Sequence, residues 1–267
     1  MTTVAVVTGA AGLIGGHLVR HLVDHGSHVI ALDERDASGV DLFGASRQSR
    51  LTFVRADTTN LADMTSIGRD VARLYGHVDH FIHAAAVTAL SDSVSPFGDV
   101  VGVDPDVWRR IIDINLTGAL ISLRSLIELL RAADRAKVLF LGSIQGSVPT
   151  LETGSYAVSK AALVALARQL AAELAPLRIT VNVLSLGPIQ TTNQTVPDIG
   201  EGPTPMRRFG RLDEVAEATA SLLGGCFDYM TGAVIPLDGG EHLRPRGNPP
   251  RYQVASTAIR DESVEVL

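Results

Sequence analysis

The chain has 267 residues, 46% of them apolar and 19% charged, a composition that supports a substantial folded core and argues against a disordered chain. Its formal charge of −6 leaves no basic footprint for nucleic acid, and no run of about 18 unbroken apolar residues offers a membrane span. Cys226 is the only cysteine, so an intramolecular disulfide and a cysteine-based zinc site are excluded, and no metal site is expected.

The opening "MTTVAVVTGAAGLIGG" has no basic segment ahead of its apolar run, and glycines interrupt that run, so it does not read as a signal peptide; a soluble cytoplasmic protein is expected. "TVAVVT" predicts a buried strand over 3–8, and Leu13, Ile14, His17, Leu18, His21 and Leu22 recur at helical spacing until Gly26. "HVIALD", ending at Asp33, and "LTFVRAD", ending at Asp57, are the next two strands. A helix over 61–75 is closed by Gly76, and "VDHFIH" is the fourth strand. After a loop over about 88–103, Asp104 and Pro105 supply an N-cap and a first helical residue for one helix reaching about 133. "KVLFLG" is strand five, 155–174 a long helix, "RITVNVLS" strand six, 212–223 a helix and "GAVIPL" the last strand.

Strands alternating with helices at this spacing mean βαβ units, hence an α/β, doubly wound, Rossmann-type parallel sheet with helices on both faces. The nearly continuous apolar strands agree, since parallel strands are buried on both sides. A single dinucleotide-binding catalytic domain is expected over 1–241. The aperiodic 242–267 reads as a tail on the body or partly disordered.

"VTGAAGLIGGH" follows a strand and opens a helix, with glycines at Gly9, Gly12 and Gly15. Glycine permits a tight turn and close approach, and a helix N-terminus offers unpaired N–H groups to a phosphate. The spacing is G-x-x-G-x-x-G rather than the G-x-G-x-x-G of the general fingerprint, and helix-on-strand packing alone is the bland alternative. Asp33 ends strand two where a carboxylate meets the adenosine ribose and repels a 2′-phosphate. This favours NAD over NADP, with Arg35 placed to soften the repulsion. Asp57 reads either as an acceptor for the adenine amino group or as a cap for the following helix.

Tyr156 and Lys160 are four residues apart and share a helix face. A tyrosine titrating near pH 10 is a poor base until a neighbouring ammonium stabilises its phenolate. Ser143, just after strand five, is placed to hold a substrate oxygen beside the tyrosine. Asn115 sits mid-helix among Ile111, Ile112, Ile114 and Leu116, either serving the site or bonding neighbouring backbone as a buried amide. The apolar and small residues around the 155–174 helix suggest burial on more than one side, against a copy of the chain.

These residues carry a resemblance. "TGAAGLIG", Asp33, Asp57, "INLTG", "GSIQG", "YAVSK", "NVLSLGPIQT", "RFGRLDEVAEA" and "MTGAVIPLDGG" resemble the short-chain dehydrogenase/reductase family over roughly 4–240. The resemblance implies a seven-stranded single domain, a homodimer or homotetramer, and a small-molecule substrate. It implies an NAD-dependent oxidoreductase interconverting a secondary alcohol and a ketone, with catalytic Asn115, Ser143, Tyr156 and Lys160. Tyr156 is then the acid/base, Ser143 orients substrate, Lys160 binds the nicotinamide ribose and lowers the tyrosine pKa, and Asn115 fixes a water. Cofactor contacts are implied at Gly9, Gly12, Leu13, Ile14, Gly15, Asp33, Asp57, Thr58, Ala84, Ala85, Tyr156, Lys160, Ile189 and Thr191.

Three departures stand out. The glycine spacing and "HAAA" (83–86) resemble the larger branch that includes sugar-nucleotide epimerases and dehydratases, and Leu186 replaces a usual proline. The alternatives are therefore an NAD-retaining lyase or isomerase and, third, a non-catalytic nucleotide sensor. His83 at a strand end more often packs or bonds backbone than catalyses. The substrate pocket is expected between Ile144, Gln145 and Val148, the 89–103 loop and a lid over 192–209. In that lid, Arg207 and Arg208 either meet an anionic substrate or face solvent.

Overall fold

A computed structural model of the chain describes residues 2–36, 49–88, 100–151, 153–190 and 204–243. Thr191, the 89–99 part of the expected pocket wall, the 192–203 part of the lid and the tail from 244 lie outside the described residues.

Seven parallel strands form one sheet in the order β3-β2-β1-β4-β5-β6-β7. They are β1 (Val4–Thr8), β2 (His28–Asp33), β3 (Leu51–Arg55), β4 (His80–His83), β5 (Ala136–Ser143), β6 (Ile179–Leu186) and β7 (Val234–Leu237). The connecting helices are α1 (Leu13–Asp24), α2 (Leu61–Tyr75), α3 (Pro105–Ile112), α4 (Gly118–Ala132), α5 (Gly154–Leu174) and α6 (Leu212–Leu223). The chain winds outward from β1 through β2 to β3, then returns to lay β4 on the other side of β1. Ligands bind outside the carboxyl ends of strands at such a reversal, because diverging connections leave a crevice there.

Every residue of β1 is buried, which explains its unbroken apolar run. Its alternation splits two cores: Val4 and Val6 join Phe81, Leu126, Phe140 and Leu163 on one face, Ala5 and Val7 join Leu18, Leu184 and Val215 on the other. Helix punctuation follows the sequence signals. Gly76 ends α2 at φ 74, and Asp104 caps α3 by accepting from the Asp106 and Val107 amides, with Pro105 behind it.

One expected element differs. The single helix predicted from Asp104 to about 133 is interrupted by a π-helical turn, Asp113–Thr117, joining α3 to α4. π turns concentrate at functional sites because the inserted residue re-aims its neighbours. This one carries Asn115, which is fully buried.

Candidate active site

The glycine turn is built by close approach. Gly9 adopts φ 70, and a Cβ there would lie 2.6 Å from the Ala85 amide nitrogen. A Cβ on Gly15 would overlap the Gly9 carbonyl, so α1 packs onto the turn only without side chains there. Gly12 is the N-cap of α1 and has no side chain to occupy the helix N–H groups. The turn thus packs through Gly9 against the alanines that follow β4.

A cleft of about 520 Å³ runs from this turn to Tyr156, within the range of small-ligand sites. Of the expected cofactor contacts, Gly9, Gly12, Leu13, Ile14, Gly15, Asp33, Asp57, Thr58, Ala84, Ala85 and Tyr156 line it. Lys160 and Ile189 do not. Ile189 pairs with Gly210 in a parallel bridge made through the Pro188 carbonyl and the Gln190 amide. By strand alternation, Ile189's own N–H and C=O face the other way.

At one end of the cleft Asp33 is almost fully buried. Its Oδ2 accepts from the Ala11 amide at 2.9 Å, and its Oδ1 accepts from the Arg35 amide at 3.0 Å and Arg35 Nε at 3.2 Å. It therefore also braces the glycine turn, which the sequence did not disclose. Asp57 is not the cap of α2: Asn60 takes that place, accepting from the Ala62 and Asp63 amides. Asp57 instead accepts from the Thr59 amide and hydroxyl, at 2.8 and 2.7 Å. Arg110 of α3 reaches across this rim to Glu34 at 3.3 Å and Asp57 at 3.7 Å. Nothing local in the sequence marks Arg110, because its partners end two strands distant along the chain.

The other end is buried and tightly bonded. Ser143 terminates β5 and caps the short turn Ile144–Gly146 by accepting from the Gln145 amide at 3.2 Å. Its side chain also acts to lower the Tyr156 phenol, so the two expected catalytic hydroxyls lie at the same end of the cleft. Gln145 and Val148 are half-buried beside it. Lys160, 3% exposed, donates from Nζ to the Leu141 carbonyl at 2.9 Å, with Nζ 5.6 Å from the Tyr156 ring centroid.

The electrostatics follow from burial. Desolvation lowers the Lys160 ammonium to about 8. The same effect raises the Tyr156 phenol above its ordinary value, opposed by the Ser143 side chain. The expected lowering of the phenol by Lys160 is not the net effect in the structure. The ammonium bonds a carbonyl, and burial dominates at the tyrosine.

Asn115 clamps the segment after β4. Its Oδ1 accepts from the Val87 amide at 2.8 Å, and its Nδ2 donates to the Val87 carbonyl at 2.9 Å and to Ser159 Oγ at 3.0 Å. Ser159 in turn donates to the Tyr156 carbonyl at 2.7 Å. Of the two sequence readings of Asn115, its side chain displays the buried amide bonding backbone. Ser159 and Val87 were missed; the only available signal was a polar residue inside "YAVSK" on a face that packs inward.

His83 is completely buried, with Nδ1 2.9 Å from Thr8 Oγ1 and its ring against Phe140. Burial, then the Lys160 charge, lower it to about 3, so it is neutral near pH 7. The two arginines of the lid root separate. Arg208 makes a two-pronged pair with Glu214 at 2.7 and 2.8 Å, while Arg207 is exposed with φ 55. Among the described residues no three His, Cys, Asp or Glu side chains gather as metal ligands, and no helix is long and apolar enough to cross a membrane.

Known proteins match this arrangement. A family model described as enoyl-(acyl carrier protein) reductase matches residues 9–242. The chain is 30% identical to cis-4-hydroxycyclohexanecarboxylate dehydrogenase of Sinomonas cyclohexanicum, over 89% of this chain and 95% of that one. A 3-oxoacyl-(acyl-carrier protein) reductase from Brucella melitensis superposes with a TM-score of 0.81 at 26% identity, covering 92% of this chain and 99% of that one. An NAD⁺-bound xylitol dehydrogenase superposes with a TM-score of 0.77 at 26% identity, covering 89% and 98%.

Proposed function

The chain belongs to the short-chain dehydrogenase/reductase family of nicotinamide-dependent oxidoreductases, and from that premise we propose that it interconverts a secondary alcohol and a ketone with NAD, using Tyr156 as acid/base. The observation that carries the reading is Tyr156 lining the end of a glycine-turn cleft, with the ammonium of a buried Lys160 5.6 Å from its ring centroid.

The residues fit a dinucleotide. The close packing that Gly9 and Gly15 allow, and a side-chain-free N-cap at Gly12, leave backbone N–H groups at the α1 N-terminus facing the cleft for the pyrophosphate. In this reading Asp33 takes the adenosine ribose, and the Ile189 backbone and Thr191 take the carboxamide. The chemistry a bound nicotinamide supplies is hydride transfer to and from the substrate carbon. Around that transfer, Ser143 holds the substrate oxygen against Tyr156 Oη. In the oxidation direction Oη accepts the hydroxyl proton; in reduction it returns one. Lys160 binds the ribose hydroxyls, and its buried ammonium, 5.6 Å from the Tyr156 ring centroid, favours the phenolate. Asn115 keeps the α5 turn bearing Tyr156 in register with the segment after β4.

The NAD preference rests on Asp33, whose carboxylate opposes a 2′-phosphate. The relatives named above are a dehydrogenase of a hydroxy acid, a reductase of a ketoacyl thioester and a polyol dehydrogenase, so a small hydroxy or keto substrate fits. The outer faces of α4 and α5 leave Leu120 and Val158 more than two-fifths exposed, in keeping with a homodimer or homotetramer. The oxidoreductase relatives favour alcohol–ketone interconversion over the lyase or isomerase alternative, which draws on the glycine spacing and the alanines after β4.

The test is NADH formation across sugars, polyols, steroids and hydroxy acids. At least one secondary alcohol should give stoichiometric NADH, with NAD preferred over NADP. Asp33→Ala should erode that preference about tenfold, the scale of one nearby charge repulsion. Product formation with retained NAD and no net NADH would replace this reading with the lyase or isomerase one.

A further inference from the structure

β4 stops three residues short of its neighbour's reach. Its last pair is His83 with Phe140, while β5 continues through Leu141 to Ser143 paired only with β6. The Leu141 carbonyl therefore has no β4 partner, and Lys160 Nζ takes it at 2.9 Å. This sets the ammonium just past the end of β4, where the next strand amide would have stood. The His83 side chain lies on the same face as Phe140, the face that α5 covers. Its Nδ1 is held by Thr8 on β1, but its Nε2 is fully buried and without a hydrogen-bond partner.

A buried imidazole nitrogen with no partner is unfavourable, and such groups are ordinarily satisfied by an internal water with at least two polar neighbours. Lys160 is the charged neighbour whose field His83 feels. We propose that His83 is a positioning residue for Lys160, its Nε2 and the lysine ammonium holding one buried water between them at the end of β4. This rests on the reading above, in which Lys160 supports the Tyr156 phenolate. The water accepts from Nζ and donates to Nε2, so Nε2 carries the lone pair and Nδ1–H donates to Thr8. Thr8 Oγ1 then accepts from both His83 and the Ala85 amide, at 2.9 and 3.3 Å, using its two lone pairs.

The surroundings contain few other titrating groups. α5 contributes Tyr156 besides Lys160, and β4 contributes His83. β1 contributes Thr8, β5 the Leu141 carbonyl and Ser143, and the π turn Asn115, none of which titrates in this range. Removing the Nε2 acceptor disfavours the charged lysine. The phenolate then loses support, and alcohol oxidation needs a higher pH.

Two variants separate this from packing. H83N keeps an amide near Thr8 but has nothing at Nε2; H83Q reaches the Nε2 position. The rising limb of turnover against pH should move up by about one unit in H83N, the scale of one hydrogen bond to a charge, and return toward the parent in H83Q. In the cofactor-free chain, the Lys160 titration followed by its ¹³Cε shift should fall below the parent's in H83N. Nitrogen-15 spectra of His83 should show the neutral Nδ1–H form with Nε2 as acceptor. An unmoved Lys160 titration in H83N, or a proton on Nε2, overturns the proposal. If the parent oxidises no alcohol, the functional reading fails while the two spectroscopic measurements still decide His83. If H83N does not fold, H83Q and the parent's nitrogen-15 spectrum decide it.

Discussion

The two ends of the cleft use polar side chains in opposite ways. At the adenine end, Asp33 is buried, but its partner Arg35 is 63% exposed, and Arg110 meets Glu34 and Asp57 at the surface. Such pairs are screened and adjustable. At the catalytic end, Asn115, Ser143, His83 and Lys160 are at most 9% exposed, and Asn115, Ser143 and Lys160 bond backbone at fixed distances. There, low dielectric makes each bond stronger and each orphan costlier. On the proposed reading, the same fold combines a tunable grip on a nucleotide with a rigid frame for proton transfer.

That contrast predicts a gradient of mutational effect along one cleft. Tyr156→Phe removes the proton-carrying oxygen and should slow turnover by about a hundredfold or more while NAD affinity hardly changes, as steady-state kinetics and fluorescence titration would show. Near-parent turnover would end the acid/base role.

Asn115→Ala comes next, since it strands the Val87 amide and carbonyl inside the protein. Each unsatisfied group costs about 1–3 kcal/mol, so the denaturant midpoint should drop clearly and turnover with it. A midpoint unchanged by this substitution would mean that the clamp carries no load.

Acid should act on β4 too. His83 and His80 titrate at about 3 and about 4 in the fold, below the ordinary 6.5, because burial penalises their charged forms. The unfolded chain therefore binds more protons between these values, and stability falls as pH drops from about 6.5 toward 4. Denaturation midpoints across that window should decline, and less steeply when His80 is replaced by Asn.

The smallest effect belongs to the adenine rim. Arg110→Ala breaks partly exposed pairs at 3.3 and 3.7 Å and should change stability by less than about 1 kcal/mol, with a modest rise in the KM for NAD that vanishes at high salt. A large loss would show that α3 is held by these pairs rather than by its buried Ile111.

Legibility in the sequence follows the range of the interaction. The Tyr156–Lys160 pair, the glycine turn and the Asp104–Pro105 helix start are local patterns, set by helix periodicity, backbone freedom and capping over a few residues. The π turn at Asp113–Thr117 was not legible, since helix spacing on both sides reads as continuous. Nor was the separation of Arg207 from Arg208, which depends on Glu214 folding back with α6.

By itself, then, the sequence determined the alternation of strands and helices, the glycine cradle, the acidic residue ending β2 and the serine, tyrosine and lysine of the site. Only the tertiary structure decided that Asn115 grips Val87, that Asp33 also braces Ala11, and that Lys160 bonds the Leu141 carbonyl just past the end of β4. These contacts join segments far apart in the chain. Strand order and register bring them together, and neither is written in any short stretch of residues.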